Sequence, residues 1–400
     1  MNGGHVVEAS IYVYPWDIVD VGVEQFLDEL QGLNLNGLEV AVSYHAGKFL
    51  RPRGRRGKLH FCEDGTTYFR PDPSRYAGLP LQPRSSSLAA RHDLFAELAE
   101  SARRRGLRLS AWTVALHNSR LGRASPEATV VNAYGDRDVA RLCPANPAVV
   151  GYVRALAADI SHNCGVAAVD LESVGFGAFQ HGFHHEFYAF DIGPYHDLLL
   201  ALCFCSHCER EAREAGVDAD AVRQAVRREL DAFFAAEARA RNEGELRGTL
   251  LEDKEFGAYL KARTGAVTSL LTAVRDGLAD GVGLHAIPSL VTPAERAWVE
   301  GANLAQLSGP CDALTLLGYY RDPQQVSADL ALAAGEVGSR CALRMALRAY
   351  PPDAPDAANL VAKAARARKA GAAACVFYNY GHVRAANLRW ISEAAAALGR

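Results

Sequence analysis

The chain has few lysines and methionines and no excess of either charge. Six lysines stand beside 37 arginines, 43 basic residues oppose 46 acidic ones, and the formal net charge is −3. So small an imbalance gives no electrostatic case for nucleic acid or an anionic membrane as the main partner. The arginine excess, in an alanine-rich chain, reads as coding bias rather than as a binding surface. No apolar run reaches the roughly 18 residues of a transmembrane helix. The start lacks a basic stretch followed by an apolar segment and a small-residue cleavage site; the apolar segment Val6–Tyr14 begins almost at once. A cytoplasmic protein is the expectation.

Aromatics make up only 8% of the chain, but 49% of it is hydrophobic and 22% charged, so a large core is available and wholesale disorder is excluded. At 400 residues the chain is long for one domain, although α/β barrels reach such lengths through loop insertions. Nine cysteines are present. Cys164, Cys311, Cys341 and Cys375 lie in apolar, strand-like segments and read as buried reduced thiols.

Short apolar runs alternate with Ala/Leu/Arg-rich helical stretches. Eight strands are predicted: Val7–Tyr14, Gly37–Ser43, Arg108–Leu116, Val166–Glu172, Val282–Pro288, Asp312–Tyr319, Ala342–Ala349 and Ala373–Tyr378. Helical patterns between them include Gly22–Leu33, Ser87–Arg105, Pro147–Asn163, Thr264–Ala279, Gln324–Val337, Ala354–Lys369 and Leu388–Leu398. Strand–helix alternation implies a parallel sheet, and eight such units argue for an α/β fold of the (β/α)8 TIM-barrel type. An open doubly wound sheet fits less well, because Tyr14-Pro15-Trp16-Asp17 stands where a glycine-rich phosphate loop belongs. The expectation is one barrel over residues 1–400, with inserted segments at about 44–86 and 175–262. The second insertion includes a long helical pattern from Asp218 to about Leu250. Both insertions follow strands and would wall a pocket at the catalytic face.

The fourth strand ends Val169-Asp170-Leu171-Glu172. Side chains repeat every second residue along a strand, so Asp170 and Glu172 share one face, the barrel interior, with Glu172 at the rim and Asp170 one step deeper. Two neighbouring buried acids push at least one pKa upward, and a carboxylic acid kept protonated near neutral pH is what glycosidic bond cleavage requires. The segment resembles the end of the Asp-x-Asp-x-Glu signature of family 18 chitinases, with Ala168 in place of the first aspartate. That resemblance implies Glu172 as general acid/base and Asp170 as its assistant. Leu314 to Tyr320 is loosely similar to the strand that presents a tyrosine in those enzymes. Retaining glycosidases with two glutamates carry the second at the end of strand 7, where Leu343 to Tyr350 holds no acid. The partner acid is then Asp170, Glu39 or Glu186.

Cys203-Phe204-Cys205-Ser206-His207-Cys208 brings three thiols into a spacing suited to tetrahedral metal ligation. Cys143 is the candidate fourth ligand, with His207 as a substitute; the alternative is a cluster of free thiols. The arrangement resembles the structural zinc site of family 42 β-galactosidases, and that resemblance implies zinc on Cys143, Cys203, Cys205 and Cys208. No organic cofactor is indicated.

Sugar sites combine aromatic platforms with polar side chains. Such residues gather at the predicted strand ends: Tyr14, Trp16, His45, Trp112, His117, Asn118, Tyr319, Arg348, Tyr378 and Asn379. The loop Gln180 to Glu186 adds His181 and His184, as substrate contacts or as ligands of a catalytic metal. The reading is a glycoside hydrolase acting on a small-molecule carbohydrate, and a homo-oligomer is compatible with it. One alternative is a metal-dependent sugar isomerase or epimerase, because Phe26–Glu39 is similar to the opening units of xylose-isomerase-like barrels; Glu39, Glu172 and His285 would then hold the ion. The other is a carbohydrate-binding barrel without turnover.

Overall fold

The computed structural model describes residues 7–183, 185–235, 240–242, 244–245, 248 and 252–399. Eight parallel strands form its centre: β1 (Glu8–Val13), β2 (Gly37–Tyr44), β3 (Arg108–Val114), β4 (Ala168–Glu172), β5 (Gly283–Ala286), β6 (Ala313–Leu317), β7 (Ala342–Arg348) and β8 (Ala374–Tyr378). Each pairs with its neighbours in sequence, and β1 pairs with both β8 and β2, which closes a (β/α)8 TIM barrel. The eight strands are those expected from the sequence, with ends shifted by one to a few residues.

Their composition explains the closure. All eight residues of β2 and all five of β6 are buried, as strands covered by helices outside and side chains inside must be. Connecting helices are started by local chemistry. Asn146 accepts from the Ala148 N–H at 2.9 Å and Pro147 occupies the first turn, which fixes the start of the helix Pro147–Asn163 that leads into β4.

The insertions carry more structure than the sequence suggested. After β2, Gly47–Leu50 and Leu59–Cys62 form an antiparallel hairpin, and Thr66–Thr67 pairs antiparallel with the end of β2. The expected helix Ser87–Arg105 is divided into Ser87–Arg91 and Leu94–Arg104. Between β4 and β5, helices Gly193–Ala201, Ser206–Glu214 and Ala219–Ala235 pack with the start of the helix Lys254–Arg275. Leu198, Leu202, Val222, Leu230, Phe256 and Tyr259 form a hydrophobic cluster of their own there. The helix expected from Asp218 to about Leu250 is described for Ala219–Ala235; much of its remainder lies outside the described residues. The expected helix Thr264–Ala279 begins earlier, at Lys254, where Asp253 caps it by accepting from the Phe256 N–H at 2.9 Å. Among the described residues no helix is long and apolar enough to cross a membrane.

Candidate active site

Side chains pointing into the barrel alternate with those pointing out, and they form two polar levels. The deeper level centres on Arg344 of β7, which is 2% exposed. Its guanidinium donates to Glu39 of β2, to Asp170 of β4 at 3.3 Å and to His285 Nδ1 of β5 at 2.9 Å. Tyr12 of β1 donates its hydroxyl to the same Asp170 oxygen at 3.3 Å. A cation so deep is tolerable only among such partners. Burial pushes the Asp170 carboxyl up to about 7 against the pull of Arg344. Burial, together with Arg344, holds His285 well below the usual histidine range, so its Nδ1 accepts.

The upper level lines a cavity of about 450 Å³ at the C-terminal ends of the strands, within the roughly 300–1,000 Å³ of small-molecule sites. Glu172 stands in its wall, and the indole Nε1 of Trp112 donates to Glu172 Oε2 at 2.5 Å. Burial pushes the Glu172 carboxyl up to about 7; the Trp112 bond opposes this, and the nearby charge of Glu300 adds to it.

Glu300 is the second carboxyl of the cavity wall. It ends the 3₁₀ helix Ala294–Glu300 that follows β5. The Leu290 N–H donates to its Oε2 at 3.0 Å. Its backbone carbonyl accepts from the Phe176 N–H at 2.8 Å, which ties it to the loop after Glu172. Gly175 permits that approach, since a Cβ there would lie 2.2 Å from the Glu300 carbonyl oxygen. Burial raises the Glu300 pKa against these donors. The sequence reading did not single out Glu300.

His45, Trp112, His181, Tyr319, Arg348 and Tyr378 stand with Glu172 in the cavity wall, along with Tyr12 and Tyr44. Arg348 has its acid in Asp353 at 3.2 Å and lies over the Tyr319 ring at 3.8 Å. Asp170 does not line this cavity: the deeper step along β4 places it in the Arg344 cluster, and Glu39 lies in the same cluster. Tyr14 and Trp16 stand behind the wall. The Tyr14 hydroxyl lies 3.1 Å from that of Tyr44 and 3.2 Å from that of Tyr378, and Trp16 stacks on Tyr14 at 4.4 Å. His117 and Glu186 line an adjoining side cavity. Asn118 caps the helix Ser119–Ala124, and Asn379 is buried and accepts from the Gly381 N–H. His184 lies outside the described residues.

The four cysteines converge on the flank of the barrel. Cys143 Sγ lies 3.5 Å from Cys208, 3.6 Å from Cys205 and 3.8 Å from Cys203. All four are buried, and their sulfurs lie within 4.8 Å of one another. A tetrahedron with metal–sulfur bonds of about 2.3 Å has edges of about 3.8 Å, so the spacing fits a four-thiolate ion. Cys143 follows Arg137–Leu142, which forms an antiparallel hairpin with Thr129–Val131 before β4, and the other three belong to the insertion after β4, so the cluster joins two separate connections. His207 is not part of this group.

No protein-family model matches the chain, and no curated protein matches it in sequence. Solved structures do match its fold. The α-L-fucosidase isoenzyme 2 from Paenibacillus thiaminolyticus aligns over 98% of this chain and 49% of its own, with a TM-score of 0.57 and 12% identity. The chain thus spans about half the length of that enzyme. The glycoside hydrolase domain of PgaB (BpsB) from Bordetella bronchiseptica aligns over 98% of this chain and 97% of its own, with a TM-score of 0.57 and 15% identity. The endo-1,4-β-mannanase from Rhizomucor miehei covers 100% of this chain and 96% of its own, with a TM-score of 0.55 and 9% identity. The chain has a glycoside-hydrolase-like barrel fold.

Proposed function

We propose that the protein hydrolyses a small glycoside, with Glu172 as the general acid/base and Glu300 as the second carboxyl. The observation that carries this reading is the Glu172 carboxyl in the wall of a 450 Å³ cavity, pushed up to about 7 by burial. Such a group is half protonated at neutral pH and can deliver its proton to a leaving oxygen. Glu300 shares the cavity but accepts from the Leu290 N–H and from Ser289, donors that favour its anion. Burial raises both carboxyls, and their donors differ: the Trp112 indole for Glu172, a backbone N–H and Ser289 for Glu300. Asp170 acts from beneath, through Tyr12, a residue of the cavity wall whose hydroxyl bonds Asp170. The glycoside-hydrolase-like fold supports the same reading.

The isomerase alternative requires Glu39, His285 and Glu172 around one divalent ion. Glu39 and His285 both bind Arg344, which already brings a positive charge to them. The four thiolates are proposed to hold a structural zinc, closed to water by its ligands. Their residues would pin the insertion against the hairpin that precedes β4, with no part in bond cleavage.

Turnover of a panel of aryl glycosides by the wild-type protein and by Glu172→Gln tests the reading. Activity on at least one sugar, lost by about 10²–10⁴-fold in the variant, is the expected result. A carbohydrate-binding barrel without catalysis would release no product from any member of the panel.

A further inference from the structure

We propose that the side cavity lined by His45, His117 and His181 is a second sugar compartment, so that the substrate is an oligosaccharide cut where two chambers meet. The proposal rests on the hydrolase reading above and extends it to the leaving group.

The side cavity measures about 240 Å³ and shares His45 and His181 with the cavity that holds Glu172. It falls below the roughly 300–1,000 Å³ that enclose a whole small ligand, as expected of an extension rather than a separate site. Its wall comes from three connections: His45 and Ala46 follow β2, His117 and Ser119 follow β3, and His181, Phe183 and Glu186 belong to the insertion after β4. Glu172 and Glu300 line the main cavity and not this one. Glu172 therefore stands on one side of the His45–His181 boundary, and the histidine wall continues on the other.

The chemistry of the wall selects the ligand. His45 and His117 stack at 4.3 Å, and their orientations are set by backbone carbonyls: His45 Nδ1 lies 2.7 Å from Ala46 O, and His117 Nε2 lies 2.9 Å from Gly182 O. With the Nε2 proton given to Gly182, Nδ1 of a neutral His117 is an acceptor. Burial and the neighbouring His181 hold His117 below the usual histidine range, which keeps it neutral. Ser119 adds a hydroxyl, and Glu186 adds a carboxylate that accepts from the Phe183 N–H at 2.9 Å. Phe183, 48% exposed, gives an aromatic face at the rim. A neutral His117 imidazole, further ring nitrogens, a hydroxyl, an acceptor carboxylate and an aromatic face suit an uncharged, polyhydroxylated ring. No lysine or arginine is among the described residues lining this wall.

The sugar that is attacked then occupies the main cavity, and the leaving sugar lies in the histidine chamber. The bond between the anomeric carbon and the bridging oxygen breaks, and Glu172 gives that oxygen its proton. Water supplies the hydroxyl that ends on the anomeric carbon, and its remaining proton restores Glu172.

Glycosyl fluorides, whose leaving group needs no second chamber, separate the two compartments. The α- and β-fluorides of glucose, galactose, mannose, fucose and N-acetylglucosamine are compared with disaccharides of the same non-reducing sugars. Ala46→Trp, which fills the chamber, should lower kcat/KM for the disaccharide about tenfold more than for the matching fluoride. Glu186→Gln, a change on a surface loop that spares folding, should act in the same direction. Equal losses on both substrates, or no loss on either from both variants, would overturn the second compartment. If the wild-type protein turns over neither substrate class, the hydrolase reading fails, and calorimetric binding to Glu172→Gln decides the compartment separately. Disaccharide binding weakened by Ala46→Trp or Glu186→Gln, with monosaccharide binding kept, supports it; a disaccharide that binds no better than its monosaccharide overturns it.

Discussion

The indole of Trp112 donates to the carboxyl of Glu172 at 2.5 Å, across the neighbouring strands β3 and β4. This bond favours the charged form of Glu172, whereas burial favours the neutral one. Trp112→Phe keeps an aromatic ring and removes the donor. The pKa of the acid should then rise further, moving the basic limb of the kcat/KM profile to higher pH by about one unit, or about 1.4 kcal/mol. A pH–rate profile of the two proteins checks this.

Glu172 should also weaken the fold as pH rises. Its folded-state pKa of about 7 lies above the ordinary 4.5, so its contribution is fully present below pH 4.5 and is lost as pH rises through 7. Glu172→Gln removes that loss, and it should raise stability by about 3 kcal/mol at pH 8 with little change at pH 4. Denaturant unfolding of both proteins at the two pH values measures the difference.

Arg344 is the only described partner whose side chain joins Glu39, Asp170 and His285. Arg344→Met leaves the two acids buried without their cation, and it should destabilise the protein by about 3–5 kcal/mol. Loss of activity in Arg344→Met should be matched by loss of folded protein in circular dichroism. A well-folded Arg344→Met protein would show that the deeper level does not hold the barrel together.

Purified protein should carry about one zinc per chain, as the four-thiolate geometry implies. Cys205→Ser should lose the metal and lower the thermal transition, while a zinc-loaded wild type resists mild chelation. Elemental analysis and a melting curve together check the assignment. Metal-free wild-type protein with an unchanged transition would mean that the thiols are free.

The barrel was legible because its eight strands are short apolar runs with regular helical connections, and the face shared by Asp170 and Glu172 followed from the strand period. The step in depth from Glu172 at the rim to Asp170 followed as well; the engagement of Asp170 by Arg344 did not, because it depends on which strands face each other across the ring. One signal was present: Arg344 lies between Leu343 and Met345 in an apolar strand, and an inward arginine there demands inward acids. Glu300 was hidden for another reason. It belongs to no strand and reaches the cavity only because the loop after Glu172, passing through Gly175, packs on its backbone. The hairpin Gly47–Leu50/Leu59–Cys62 was concealed by the basic, glycine-containing turn Arg51–Gly57, which reads as loop. Tyr14 and Trp16 were recognised as aromatic, but position alone did not distinguish a wall from the stack behind it.

The assignment of Glu172 is tested most directly by single-variant kinetics on the aryl glycoside that the wild-type protein cleaves fastest. Glu172→Gln should lose about 10²–10⁴-fold in kcat/KM with an aglycone that needs protonation, and much less with one that leaves unaided. Undiminished turnover by Glu172→Gln on both aglycones would contradict its role as proton donor.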